Sequence, residues 1–263
     1  MKKVTIDEAY KLKSEGLNDF IERFDELGEK FTNQNRNKLK IFELDDFKVV
    51  IKSFKVPNLV NQVSYAFFRK SKAQRSFEYA KKLLSLDIKT PEPIAYFEFS
   101  QFFLFKKSYY LSKHFNYDFT IRALVDDDNY PNYNEILRAF TRFTFSLHEK
   151  GINFLDHSPG NTLIKKTDSG YDFYLVDLNR MNFEHMDFDA RMRNFARLSP
   201  RGKMLSVLSS EYAKLLDNKT EAQVHERMLF FSKDFSHKFK AKERFKKKYF
   251  FWRKKVNKRY ISL

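Results

Sequence analysis

The sequence has no cysteine, and only six glycines, six prolines and one tryptophan in 263 residues. Without cysteine there is neither a disulfide framework nor a thiolate metal site, which fits a reducing compartment. No glycine lies between Gly28 and Gly151, and neither the Walker phosphate loop nor the dinucleotide fingerprint occurs. The six histidines show no zinc-type spacing. No apolar run approaches the roughly 18 residues needed to span a bilayer. The stretch MKKVTIDEAYKLKSEG lacks the apolar segment of a secretory signal, so a soluble or peripheral protein is expected.

Phenylalanine and positive charge are abundant. Thirty-one phenylalanines within a 42% apolar fraction supply ample core for one large domain or two lobes. The formal charge of +16 calls for a polyanionic neighbour. It is concentrated: Lys233 to Arg259 holds thirteen Lys/Arg against Asp234 and Glu243. Phe235, Phe239, Phe245, Tyr249 and Trp252 recur there at about helical spacing. A basic helix with aromatic anchors suits an anionic membrane surface; the plainer alternative is a helix laying its aromatics on the rest of the domain.

Along the chain, Thr5 and Glu8 have the spacing of a capping box ahead of a helix through about Leu27. KLKIFEL and FKVVIKSFK predict two strands about an Asp45-Asp46 turn. Ser71 is a candidate N-cap for a helix whose stripe is Phe77, Ala80, Leu83 and Leu84. Two further strands are expected about Ser100-Gln101. NYNEILRAFTRFTFSLHEKG reads as a long helix closed by Gly151. Short strands at 162–164 and 172–176 flank a turn at Asp168-Ser169-Gly170, and the remainder reads as helical. The expected class is α+β: residues 1–113 form a small antiparallel-sheet lobe with one inserted helix, and residues 114–263 a helical lobe. The boundary falls near Ser112–Asn116.

Several polar residues sit awkwardly on this scaffold. Lys52 interrupts the apolar strand VVIKSF, Glu78 rides the following helix, Asp156 and Asn161 bracket DHSPGN, and Asp177 ends FYLVDL. Each alone has an ordinary reading as a surface or turn residue. Together they follow the order of the phosphotransfer apparatus of protein kinases: strand Lys, helix Glu, loop Asp, four residues, Asn, strand-end Asp. That order implies Lys52 on the nucleotide phosphates with Glu78 orienting it, Asp156 at the acceptor hydroxyl, and Asn161 and Asp177 holding Mg²⁺.

From about Arg36 to Leu198 the chain resembles the lipopolysaccharide-core sugar kinases, the Kdo/heptose kinase family of the protein-kinase-like fold. The resemblance is carried by VVIKSFK, RSFEYAKKLLSLDIKTPEPIAY, FLDHSPGNTLI and FYLVDLNRM. In the last, Asp-hydrophobic-x-Arg stands where protein kinases have Asp-Phe-Gly. It implies a bilobal kinase that uses ATP and Mg²⁺ to phosphorylate a sugar hydroxyl of the lipid A inner core, most simply on Kdo. It also implies a cytoplasmic enzyme peripheral on the inner membrane, docked there by the 233–259 tail. Arg180 is then a candidate for the acceptor's carboxylate or phosphate. Arg191, Arg193, Arg197 and His157 are further candidates, each with a structural alternative.

Two departures stand out. Phe154 and Leu155 replace the His-Arg of the kinase catalytic loop. NQNRN, Asn33 to Asn37, replaces the glycine-rich turn, with Arg36 supplying charge to the nucleotide. The rival readings are a soluble small-molecule kinase of the aminoglycoside or choline type, a pseudokinase without the glycine loop, and a basic nucleic-acid module. The last leaves Lys52, Glu78, Asp156 and Asn161 unexplained, so no nucleic-acid partner is expected.

Overall fold

The computed structural model describes residues 1–30 and 37–249. Arg36 and most of the NQNRN turn lie outside the described residues, as does the tail beyond Tyr249. In chain order, β1 (Lys2–Ile6) leads through a 3-10 turn to α1 (Ser14–Glu22), then β2 (Glu29–Lys30), β3 (Asn37–Leu44), β4 (Phe47–Phe54), α2 (Leu59–Phe67), α3 (Lys72–Ser85), β5 (Pro93–Gln101), β6 (Leu104–Lys113) and β7 (Phe119–Thr120). There follow α4 (Arg122–Asp126), α5 (Tyr133–Glu149), β8 (Ile152–Phe154), β9 (Thr162–Thr167), β10 (Gly170–Leu175), β11 (Met181–Phe183), α6 (Phe188–Asn194), α7 (Gly202–Ala213) and α8 (Glu221–Tyr249). The chain divides into two compact units, 1–120 with 161–181, and 121–160 with 182–263. The sequence reading assigned the 162–175 hairpin to the helical half; by its contacts it joins the first unit, where β9 pairs with β7.

The first unit is built on a six-stranded antiparallel sheet of order β1-β5-β6-β4-β3-β2. The alternation of β4 decides its two faces. Val49 and Ile51 point to one side, into a core with Leu17, Ile21, Phe24, Phe42 and Phe97. Phe54 points to the other, against Ala73 and Phe77 of α3 and Tyr96 of β5. By the period of two, Lys52 shares the α3 face with Phe54, and its ammonium lies 5.4 Å from the Phe54 ring centroid. Ser71 caps α3 as expected, accepting from the Gln74 amide at 3.1 Å. Ala73, Phe77, Ala80 and Leu83 form the buried stripe, while Leu84 is exposed.

Three local expectations give way to tertiary structure. Thr5 does not cap a helix: it lies in β1 opposite Tyr96, because the β5 edge takes up Lys2–Ile6. Asp7 becomes the cap instead, accepting from the Ala9 amide, and α1 begins only at Ser14. The β5–β6 turn is not at Ser100-Gln101; Gln101 pairs with Leu104, and the turn is Phe102-Phe103. Helix α2 was unforeseen, since none of its residues is buried. By contrast Leu44 pairs with Phe47 around the predicted Asp45-Asp46 turn, with Asp45 left-handed.

The second unit is organised by α5, whose buried residues Tyr133, Ile136, Leu137, Phe140, Thr144 and Leu147 keep the helical period. The helix ends as predicted at Gly151, at φ +66°, where a side-chain Cβ would stand 2.8 Å from the Glu184 carbonyl oxygen. Glu211 of α7 is nearly buried and accepts from Arg138 at 2.8 Å and from Arg142.

A buried polar network fills the middle of this unit. Asn194 donates from Nδ2 to Asn153 Oδ1 and to the Phe154 carbonyl, each at 3.0 Å. That orientation aims its Oδ1 at His157 Nδ1 (2.9 Å) and His148 Nε2 (3.2 Å), so both ring nitrogens are the donors. His148 Nδ1 then accepts from the Tyr212 hydroxyl at 2.8 Å. His157 Nε2 is buried without a partner.

Burial holds both imidazoles neutral, with pKa values lowered from 6.5 to about 3 for His148 and about 4 for His157. The unfolded chain takes up these protons below about pH 6.5 and the folded one does not. Stability present above that pH is therefore lost as pH falls towards 4, at up to about 1.4 kcal/mol per pH unit for each histidine. Urea unfolding at pH 7 and pH 5 should differ by about 3–4 kcal/mol. A pH-independent stability over this range would mean that the rings are charged in the fold.

Candidate active site

In the first unit the β9–β10 hairpin brings two oxygen donors together. Thr167 pairs with Gly170 around the expected turn, and Thr162 with Leu175 at the open end. The Val176 amide then donates to the Asn161 carbonyl at 3.0 Å. Asn161 and Asp177 thus leave the same end of one hairpin. Asp177 is left-handed, at φ +60°. This costs a non-glycine residue on the order of 1 kcal/mol and is least unfavourable for Asp and Asn. Its carboxylate accepts from Asn179 Nδ2 and pairs with Lys52 Nζ at 2.7 Å.

More cations gather there than the sequence reading named. The Lys72 ammonium is pushed down in pKa, first by partial desolvation, then by Arg180, Arg75 and Lys52, with Asp177 opposing. Four cations and one carboxylate leave a net +3, a field suited to phosphate. Lys72 and Arg75 went unnoticed because they read as ordinary charges in α3. The available signal was RKSKAQR, a cationic run on a helix N-terminus with no acid before Glu78.

Glu78 does not pair with Lys52, contrary to expectation. Its two oxygens accept from Lys70 at 2.7 Å and from Gln74 at 2.9 Å. Both partners are near in sequence, and Gln74 lies one turn back on the same helix, so local geometry takes the carboxylate.

In the second unit, Asp156 sits on the loop after β8. The loop is tied by Ser158 N donating to the Asp156 carbonyl at 2.7 Å and by Arg122 N donating to the Pro159 carbonyl at 2.9 Å. The Asp156 carboxylate forms an ion pair with Arg197. Phe154, in place of a kinase histidine, is fully buried, whereas Leu155 is exposed. His157 is also fully buried and belongs to the Asn194 network, which corrects its reading as a substrate contact. Arg191 is engaged too, by Glu149 and by the Met186 carbonyl at 2.9 Å. Arg193 is exposed and lies over the Phe231 ring at 4.7 Å. Among the described residues there is no cluster of three or more His, Asp or Glu side chains that could hold a metal.

No protein-family model matches the chain, and no curated protein matches it. Solved structures do. One is that of WaaP in complex with acyl carrier protein, at 12% identity and a TM-score of 0.61, covering 90% of this chain and 97% of that one. The fold is protein-kinase-like. At this identity the likeness extends to architecture: an antiparallel-sheet unit with an inserted helix, and a helical unit carrying the Asp156 loop. Since 904 solved chains match, the fold alone does not select a substrate.

Within this fold Lys52 arises from β4, and Asn161 and Asp177 from the open end of the β9–β10 hairpin. Replacing Asp177 by Asn removes the carboxylate that pairs with Lys52 and opposes the cations around Lys72. The unliganded protein should lose about 1–3 kcal/mol at low salt. Millimolar pyrophosphate should restore more stability to this variant than to the parent. Denaturant titrations with and without pyrophosphate measure both effects.

Proposed function

We propose that this protein is an ATP- and Mg²⁺-dependent kinase that phosphorylates a sugar hydroxyl of the lipopolysaccharide inner core, with Kdo of Kdo-lipid A as acceptor. The observation that carries the reading is Lys52 paired with Asp177, beside Asn161, at one end of one hairpin. Phosphoryl transfer needs a cation for the phosphates and oxygen donors for the metal that bridges them. Mg²⁺ keeps several waters and takes one or two protein oxygens together with phosphate. An Asn-Asp pair without nitrogen or sulfur donors fits it. Once bound, Mg²⁺ would neutralise charge on the transferring phosphoryl group.

The chain's own residues divide the remaining work. Lys52, with Lys72 and Arg75 nearby, binds the phosphates in place of a glycine-rich loop. Asp156 accepts or orients the proton of the acceptor hydroxyl, and Arg197 holds that carboxylate in one orientation. Arg180 is the first choice for the Kdo carboxylate, because a guanidinium can meet a carboxylate through two parallel hydrogen bonds. Glu78, with Lys70 and Gln74, supports the start of α3.

A lipid-linked acceptor requires access to a cytoplasmic membrane surface. Among the described residues no helix is long and apolar enough to cross a membrane. Helix α8 buries Val224, Met228 and Phe231 near its start, while Phe245 and Tyr249 are exposed among lysines. This distribution supports surface docking through the 233–259 tail.

Incubation with Mg²⁺, labelled ATP and Kdo-lipid A should transfer one phosphate, read by mass spectrometry. Asp156→Ala should lower kcat by about 10²–10⁴-fold while leaving the thermal stabilisation by Mg-ATP in place. Lys52→Ala should reduce both. Undiminished turnover of Asp156→Ala would remove the assignment.

A further inference from the structure

Helix α2 reverses the usual polarity of a surface helix. Leu59, Val60, Val63 and Phe67 are all exposed, Val60 by 78%. At about 100° per residue these four lie within about 100° of arc. The rest of the circumference carries Asn61, Gln62, Ser64, Tyr65 and Ala66, which are half-buried, with Asn61 and Tyr65 opposite the stripe. Gln62 donates to the Pro57 carbonyl at 3.0 Å, and the Tyr65 ring meets Phe105 of β6 edge-on at 5.5 Å. A soluble helix normally turns its apolar stripe inward; this one turns it to solvent.

The neighbouring hairpin tip has the same character. Phe102 and Phe103 form the β5–β6 turn at φ +48° and +60°, and are 85% and 82% exposed. Paired left-handed positions in a two-residue hairpin favour Asn-Gly. Two phenylalanines here bear backbone strain while burying almost nothing in this chain. Phe103 is two residues from Phe105, the partner of Tyr65, so the tip adjoins α2 on the first unit.

The surrounding charge is of one sign. No acid occurs from Phe47 to Phe77 or from Phe99 to Tyr117. Lys55, Arg69, Lys70 and Lys107 are exposed around the two apolar elements. Among the described residues, the ion pairs this set makes are with Glu78, at Lys70, and with Asp25, 3.8 Å from Lys107. Exposed aromatic and aliphatic side chains rimmed by Lys and Arg match a bilayer with anionic headgroups, where the rings enter the acyl boundary and the cations stay at phosphate level.

We infer that α2 and the Phe102-Phe103 turn form a membrane-docking surface on the first unit, separate from the basic tail, which inserts into an anionic lipid monolayer. The inference holds whichever acceptor the enzyme uses, so its test omits ATP and Kdo-lipid A.

The full chain is floated with phosphatidylglycerol/phosphatidylcholine vesicles and with pure phosphatidylcholine vesicles. The parent should partition at least tenfold better onto the anionic set. Phe102→Asn with Phe103→Gly suits the turn and should preserve or raise Tm, yet lower anionic-vesicle partition at least tenfold. Val60→Glu with Phe67→Glu should do the same. Phe103→Trp in a Trp252→Phe background should be quenched by brominated lipid, which separates insertion of the tip from docking of the tail. Undiminished partition of the Asn-Gly variant, equal binding to neutral vesicles, or an unquenched tip would overturn the proposal. So would a loss of partition that follows a change in self-association in sedimentation, since the patch would then join two copies of the chain.

Discussion

The side-chain amide of Asn194 is the constraint on which the second unit's loop depends. Its nitrogen holds Asn153 and the Phe154 carbonyl, and its oxygen holds His157. Three positions of the segment that carries Asp156 are thereby tied to the end of α6. The network also fixes the charge state of the interior. An oxygen that accepts from two imidazoles needs one N–H from each, and burial keeps both rings neutral. Phe154 becomes intelligible in this light. With the interior polar role met by His157 and His148, the strand position can be apolar and fill the core.

A second balance governs the first unit. One carboxylate, Asp177, pairs with Lys52, and Lys72 feels that carboxylate together with Lys52, Arg75 and Arg180. Asp177 sits in a strained left-handed conformation, and such strain persists where the surroundings over-determine it. An excess of cations about one anion is electrostatically incomplete, and bound phosphate would complete it. This offers a physical answer to the missing glycines. A glycine-rich loop contributes backbone amides to phosphate, whereas the function proposed above assigns that task to side-chain cations and the N-terminus of α3.

Much of this organisation was legible from residues alone. The period-two pattern of VVIKSF set Lys52 on one face, Ser71 capped its helix, and Gly151 ended another. DHSPGN and FYLVDL marked the loop and the strand end. The errors share a cause. Thr5 and Glu8 have good capping chemistry, but an open sheet edge claimed the segment. Phe102 and Phe103 read as strand residues because nothing in their chemistry asks for a left-handed turn. Glu78 was matched to Lys52 by order along the chain, while its carboxylate was taken by Lys70 and Gln74. His157 looked available beside Asp156, yet neighbouring loop residues can point to opposite environments.

By itself the sequence determined most of the elements, the faces of those with a clear period, and the residue types available for chemistry, because hydrophobic period, capping and turn propensity act within a few residues. Tertiary structure alone decided which charges meet. The pairing of Lys52 with Asp177, of Asp156 with Arg197 and of both histidines with Asn194 joins residues from 37 to 125 positions apart. Such partners follow from strand order and helix packing, which no local pattern encodes. The outward apolar face of α2 belongs to the same class: its composition was visible in the chain, but its direction depended on which side met the sheet.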